Sequence, residues 1–138
     1  MKARLGRVLE RVRHEESGSA VVEFVFVGIL LTFLTLGVLQ LGLALHVRNT
    51  IQDAASEGAR WGALIDSTPA DGVQRTKELI TTAVGEQYAK EISVSSQQWM
   101  GAPATVITVK APLPMIGLWG PATSMEVSGH AATEVLNQ

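Results

Sequence analysis

The feature that most constrains this chain is a run of 22 uncharged residues, Phe24–Leu45, in which only Thr32, Thr35 and Gln40 are polar. At about 1.5 Å per residue, a helix of this length spans about 33 Å, enough to cross a hydrocarbon core of about 30 Å. A cleaved secretory signal would have a shorter apolar core and small residues at its exit, whereas this run ends in Gly42-Leu-Ala-Leu-His46. The sequence therefore predicts a single membrane-spanning helix that the mature protein keeps.

The charges on either side of this run predict its orientation. Arg48 and Arg60 follow it closely, whereas five basic residues precede it: Lys2, Arg4, Arg7, Arg11 and Arg13. By the positive-inside rule, the N-terminus lies in the cytoplasm and the chain beyond His46 lies outside a cytoplasmic (inner) membrane. From residue 19 onward there are 6 Lys and Arg against 10 Asp and Glu, which argues against a nucleic-acid partner.

These features divide the chain into a basic leader at 1–18, a transmembrane helix at 19–45, an extracytoplasmic extension of that helix at 46–64 and a small domain at 65–138. The extension contains no proline, so we expect the helix to continue to Leu64. Small residues recur along it every four positions, which lets another backbone approach closely; they are Ala54, Ala55, Gly58, Ala59 and Gly62. Their packing partner is either the chain's own domain or a neighbouring subunit.

The remaining chain predicts a second helix and three strands. Thr68 suits an N-cap, Pro69 the first helical position and Asp71 the first turn, so we expect a helix from Pro69 to about Lys90. Beyond Glu91 the apolar period becomes two in three segments, at 92–95, 105–110 and 125–135, which predicts an antiparallel meander. A turn at Gly101-Ala-Pro103 would join the first two strands. The fold class is therefore α+β, with a long N-terminal helix, a second helix and a small three-stranded antiparallel sheet.

The segment from Pro112 to Pro121 would join the second and third strands. It carries five large apolar residues in a stretch that proline and glycine keep out of regular structure: Leu113, Met115, Ile116, Leu118 and Trp119. If exposed, they would form a contact patch for a partner or for the bilayer surface. If buried, they would complete a thin core.

Glu23 is the residue with the clearest functional meaning. It is a carboxylate at the start of the apolar run, and an ionised carboxylate at the bilayer centre costs about 2.5–3.5 kcal/mol. Cleavage after Gly18 would give Ser19 an α-ammonium about one helical turn away, next to the positive end of the helix dipole. The carboxylate could then neutralise its own amine or that of an adjacent subunit.

The segment that runs from Gly18 through Glu23-Phe24 and the apolar span to Ala54-Ala-Ser-Glu57-Gly58-Ala-Arg60 resembles the TadE-like family, the pilin-like (pseudopilin) subunits of Tad or Flp type IV pili. The resemblance implies a pilin-like fold and cleavage after Gly18 by a prepilin peptidase, with Glu23 required for recognition or assembly. It also implies partnership with other pilin-like subunits, an inner-membrane platform and a secretion ATPase. The chain would then be a minor subunit in pilus assembly or adhesion.

Two departures from the family pattern change the expectations. Members often carry proline a few residues into the span, where this chain has Gly28, so a kink is less expected. Ser19 replaces the bulky apolar first residue of ordinary type IV pilins, which puts N-methylation in doubt.

Glu57 and Arg60 are three residues apart on the helix and suit a solvated ion pair. The resemblance suggests a further role for them in subunit contacts.

The sequence carries no sign of catalysis, and we expect no cofactor, metal or small-molecule substrate. His14-Glu-Glu lacks the second histidine of a zinc-binding helix. His130 and Glu126 could share one face of a strand, but two ligands make a poor metal site. The alternative to a pilin-like subunit is an uncleaved, signal-anchored module that presents the Pro112–Pro121 loop to a binding partner.

Overall fold

The computed structural model describes the backbone of residues 2–114 and 124–134, and the side chains from Gly18 onward. The chain forms two compact units, Met1–Leu39 and Gln40–Gln138. The described residues form a long helix, a second helix and a three-stranded antiparallel sheet. The predicted α+β fold class is confirmed.

The first helix, α1, runs from Lys2 to Ala63. Its C-terminal end agrees with the prediction, but it begins well before Gly18. The reason lies in the leader, which contains no proline, and a single glycine within a helix costs only about 1 kcal/mol relative to alanine. Within the described residues, α1 is the one helix that could cross a membrane: the segment Gly18–Ala63 contains an 18-residue window with a mean hydropathy of 2.4 and no buried residue.

In the first unit, the large apolar side chains of α1 from Val21 to Leu39 are exposed on all sides of the helix. Its two threonines do not leave polar groups unpaired. The hydroxyl of Thr32 donates to the carbonyl of Gly28, and that of Thr35 donates to the carbonyl of Leu31, both at 2.8 Å. These hydroxyls are therefore already satisfied for an apolar surrounding.

The second helix, α2, spans Pro69–Ala83 and begins as predicted. Thr68 is its N-cap: its hydroxyl accepts from the backbone N–H of Asp71 at 3.2 Å, and its own backbone N–H donates to the Asp71 carboxylate at 2.7 Å. This reciprocal pair is a capping box. The expected extension to Lys90 is wrong, because Gly85 adopts a φ of 112° and the chain continues as a short 3₁₀ helix at Glu86–Tyr88.

Three strands follow as the predicted meander: β1 at Glu91–Trp99, β2 at Ala102–Pro112 and β3 at Ser124–Ala132, in the order β1-β2-β3. The first turn lies at Met100–Gly101 rather than at Gly101–Pro103. Both turn residues have positive φ, 53° and 85°, which is the backbone of a two-residue type I′ hairpin.

The core of the second unit lies between one face of the sheet and the two helices. Its fully buried side chains come from all three layers: Ile51 of α1, Ile80 and Thr76 of α2, and Ile107 and Val109 of β2. On α2, Ile80 is buried and Val73 is half-buried; Val84 and Tyr88, which lie beyond the end of this helix, are also half-buried. The sheet thus gains the helical cover that three strands need for stability.

Candidate functional site

The predicted processing site lies on the exposed first part of α1. Gly18 is helical, and a Cβ atom placed on it would meet nothing within 4 Å. Ser19 and Glu23 are one helical turn apart, and the hydroxyl of Ser19 donates to the Glu23 carboxylate at 3.4 Å. Phe24, the first residue of the uncharged run, is 79 % exposed. The structure thus places the carboxylate of residue 23 within one turn of the backbone at residue 19.

This spacing fits the chemistry that cleavage would create. In the intact helix, the nitrogen of Ser19 is an ordinary amide. After hydrolysis of the Gly18–Ser19 peptide bond it becomes an α-ammonium, and the Glu23 carboxylate is the acidic group one turn away on the same side of the helix. A carboxylate in the first turn of a helix also favours the positive end of the dipole.

The predicted helix-packing residues are buried in the second unit, where they contact the chain's own domain. Gly58 and Gly62 face α2, where a Cβ on Gly58 would lie 2.6 Å from the carbonyl oxygen of Gly72. The same Cβ would also collide with the hydroxyl of Thr76. Helices α1 and α2 therefore approach closely through glycines, and Gly58 is required because no side chain fits there.

Two of the predicted small residues, Ala55 and Ala59, lie on the adjoining face of this helical segment. Ala55 and Ala59 are fully buried in the core. A Cβ on Gly129 of β3 would collide with the backbone of Ala55 and Ser56, so strand and helix also touch backbone to backbone. The side chain of Gln52 donates to the carbonyl of Ser128 beside this contact. The small residues of this segment thus pack against α2 on one face and against the sheet on the adjoining face.

Three residues of this packing were not singled out from the sequence: Gly72, Thr76 and Gly129. For the first two there was a signal, because Gly72, Thr76 and Ile80 recur every four residues in α2 and are all buried. Gly129 carries no local signal, since only the path of the whole chain brings it against α1.

The remaining predicted contact residues differ in where they lie. Glu57 and Arg60 are 4.0 Å apart, with the side chain of Arg60 exposed and that of Glu57 half-buried, which corresponds to a weak surface ion pair. Leu113 is half-buried and packs against the core. Four other predicted contact residues lie outside the described residues: Met115, Ile116, Leu118 and Trp119.

The histidine on the sheet has an aromatic partner. His130 of β3 stacks on Trp99 of β1 with ring centroids 4.3 Å apart, and Glu126 instead pairs with Lys110 at 3.6 Å. Their two side chains therefore have separate partners. Among the residues whose side chains are described, no group of three His, Cys, Asp or Glu is arranged to hold a metal ion.

Comparison with known protein families gives a match within α1. Residues 18–60 match the family model of TadE-like protein. The match begins at Gly18 and ends at Arg60, so it covers the uncharged run and the small-residue segment but neither α2 nor the sheet. It confirms the resemblance found in the sequence and indicates a protein associated with the Tad pilus. No curated protein and no solved structure shows significant similarity to the chain.

Proposed function

We propose that this chain is a minor, pilin-like structural subunit of a Tad or Flp pilus. It is inserted in the cytoplasmic membrane with its N-terminus inside, and a prepilin peptidase cuts it after Gly18. The mature subunit then assembles with other pilin-like subunits at the inner-membrane platform, with a secretion ATPase as the source of work, and serves pilus assembly or adhesion. It acts through contacts and not as an enzyme.

The observation that carries this proposal is where the family match begins. It starts at Gly18 and excludes the basic leader, as expected if residue 19 is the first residue of the mature protein. Glu23 then lies one turn from the new terminus. Because an unpaired carboxylate is costly in lipid, a cation created by cleavage gives Glu23 a reason to be at the edge of the span.

The packing of residues 46–64 indicates that two parts of α1 make different contacts. Gly58 and Ala59 are occupied by the chain's own domain, so they do not present a free surface to another subunit. The apolar side chains from Val21 to Leu39 are exposed. The subunit contacts that a pilus requires are therefore assigned to the uncharged run, while the small-residue segment holds the domain on the helix.

Processing is tested by coexpression of the full chain with a prepilin peptidase and mass spectrometry of the mature N-terminus. We expect Ser19 as the first residue. Gly18→Val should block cleavage because it adds bulk at the cut, and Gly28→Val is the matched control, since a Cβ on either glycine meets nothing within 4 Å. An intact leader in the wild type, or a start elsewhere, would instead support the uncleaved signal-anchored module.

The role of the carboxylate is tested by Glu23→Gln, which keeps the size of the side chain and removes its charge. We expect the variant to insert in the membrane normally and to be depleted from sheared pili relative to wild type. Wild-type incorporation of this variant into pili would remove Glu23 from the assembly mechanism.

A further inference from the structure

Strand β1 is an edge strand whose outer side carries no other strand in the described part of the chain. It is nine residues long, and every residue except Ile92 is exposed. Its pairing with β2 is continuous from Glu91↔Lys110 to Trp99↔Ala102, so no bulge interrupts it. The outer side of β1 therefore presents a regular row of backbone N–H and C=O groups.

This edge lacks the usual features that prevent pairing with another chain. Natural edge strands are commonly protected by charged residues, proline, bulges or short length. From Ile92 to Val109 the sequence contains no charged residue, and β1 contains no proline. The mean strand has about 5–6 residues, whereas β1 has nine, so short length does not protect this edge either.

The opposite edge of the sheet is in contact with α1. The side chain of Gln52 donates to the carbonyl of Ser128 on β3, and just beyond this strand the backbone N–H of Glu134 donates to the carbonyl of Ala63 at 3.2 Å. Within the described residues, α1 therefore obstructs the middle of the β3 edge, whereas every residue of β1 except Ile92 stays exposed although α2 contacts this strand.

A second copy of this chain does not fit as the added strand. Antiparallel pairing of β1 with its own copy requires a twofold axis normal to the sheet, and this axis reverses every direction that lies in the sheet. In the second unit α1 runs in the same direction as β3, because Gly129 contacts α1 at Ala55 while Glu134 bonds Ala63, farther along both elements. Two copies paired in this way would have opposed α1 helices, which is incompatible with the common insertion that the proposed function requires.

We propose that β1 accepts an uncharged, extended segment of another protein as a fourth strand. Backbone hydrogen bonds would supply the affinity and alternate side chains the specificity, as in other cases of strand addition. The segment is uncharged because the neutral hairpin offers no counter-ion between Glu91 and Lys110. Its side chains alternate to match β1, with apolar residues on the face of Val94 and small polar residues on the face of Ser93 and Ser95.

The chain contains no cysteine, so a single introduced thiol can report strand addition. The full-length Ser95→Cys variant in lipid nanodiscs is incubated under mild oxidation with terminally blocked nine-residue peptides. Each peptide has the sequence of Glu91–Trp99 with Glu91→Gln, and one cysteine that is moved from position to position. A free peptide has no α1, so the insertion constraint does not apply to it. Ser124→Cys, an exposed serine on β3, the strand whose edge α1 contacts at Ser128, is the matched control.

We expect the yield of mixed disulfide with Ser95→Cys to alternate with a period of two along the peptide, by about threefold or more, because successive side chains point to opposite faces. Methylation of alternate peptide nitrogens should abolish the alternation, since it removes donors from the ladder, and lysines in the peptide should lower the yield. Uniform yields, or equal trapping by Ser124→Cys, would show random collision and overturn the proposal. A disulfide-linked Ser95→Cys homodimer in nanodiscs would identify a second copy as the occupant and would also overturn it. None of these outcomes depends on cleavage at Gly18.

Discussion

The close approach of α1 and α2 predicts that Gly58→Ala destabilises the domain even though alanine is the better helix former. Alanine in place of glycine within a helix is worth about 1 kcal/mol. Against this gain, the new Cβ would lie 2.6 Å from the carbonyl oxygen of Gly72 and would also overlap the hydroxyl of Thr76. The carbonyl belongs to the backbone of α2, so the helices must move apart.

The loss in free energy of unfolding depends on which atoms must move to admit the new methyl group. Overpacking a filled core costs about 1–3 kcal/mol, and the upper end applies here because a rigid backbone group opposes the new methyl. After the helix-propensity gain, the net loss is about 2 kcal/mol. At about 4–8 °C per kcal/mol for a domain of this size, the unfolding midpoint should fall by about 8–16 °C.

Thermal unfolding of the full chain in detergent measures this loss. Tryptophan fluorescence is a suitable signal because Trp61 of α1 lies under the guanidinium of Arg75 of α2, 5.7 Å from the ring centroid. Gly37→Ala on the same helix is the control, since its Cβ meets nothing within 4 Å; it carries the helix-propensity gain without the clash, so its midpoint should not fall below that of the wild type. Adding Thr76→Ala to Gly58→Ala should recover about 1 kcal/mol relative to the sum of the single losses. A Gly58→Ala variant that melts at or above the wild-type midpoint would refute the argument.

Two further outcomes follow from the turns of the second unit. The side-chain hydrogen bond from Thr68, and then its backbone N–H, lower the pKa of Asp71 below its ordinary value; the stability from this ionised cap is therefore present above about pH 4 and is lost as the pH falls below it. The midpoint of Asp71→Asn should consequently fall less between pH 5 and 3 (roughly the range in which a carboxyl of this kind titrates) than that of the wild type, and parallel curves would contradict this. Met100 is 93 % exposed at a φ of 53°, so Met100→Asn should raise the midpoint by a few degrees because asparagine tolerates this backbone at little cost; an unchanged or lower midpoint would show that the turn is not strained.

The accuracy of the sequence predictions depended on how local each interaction is. The start of α2 was predicted because Thr68, Pro69 and Asp71 form a cap within four residues. The end of α2 was wrong because Gly85 ends the helix before the apolar period ends. The first turn was displaced because proline suggested a loop, whereas Pro103 lies in β2 and uses its carbonyl to accept from the N–H of Thr133 at 2.9 Å.

The choice of packing partners could not be predicted in the same way. The glycine and alanine spacing of α1 showed that a backbone would approach, and it left open whether this backbone belonged to the same chain. Gly58 meets Gly72 only because the turn after Ala63 returns α2 along α1, and Ala55 meets Gly129 only because β3 follows two other strands. These contacts depend on the whole chain path, so residue spacing alone does not contain them.

The matched segment, residues 18–60, ends before the elements that pack on α1. Residues 18–60 contain two kinds of helix surface: an exposed apolar one and, from Val47 onward, one buried by the chain's own domain. The matched segment therefore includes the α1 surface on which the domain packs, while the elements that pack on it lie outside the match. A helix with small residues constrains its partner mainly through close backbone approach, and both α2 and β3 meet this requirement with a glycine. Different second helices and sheets could therefore satisfy the same requirement on this helix.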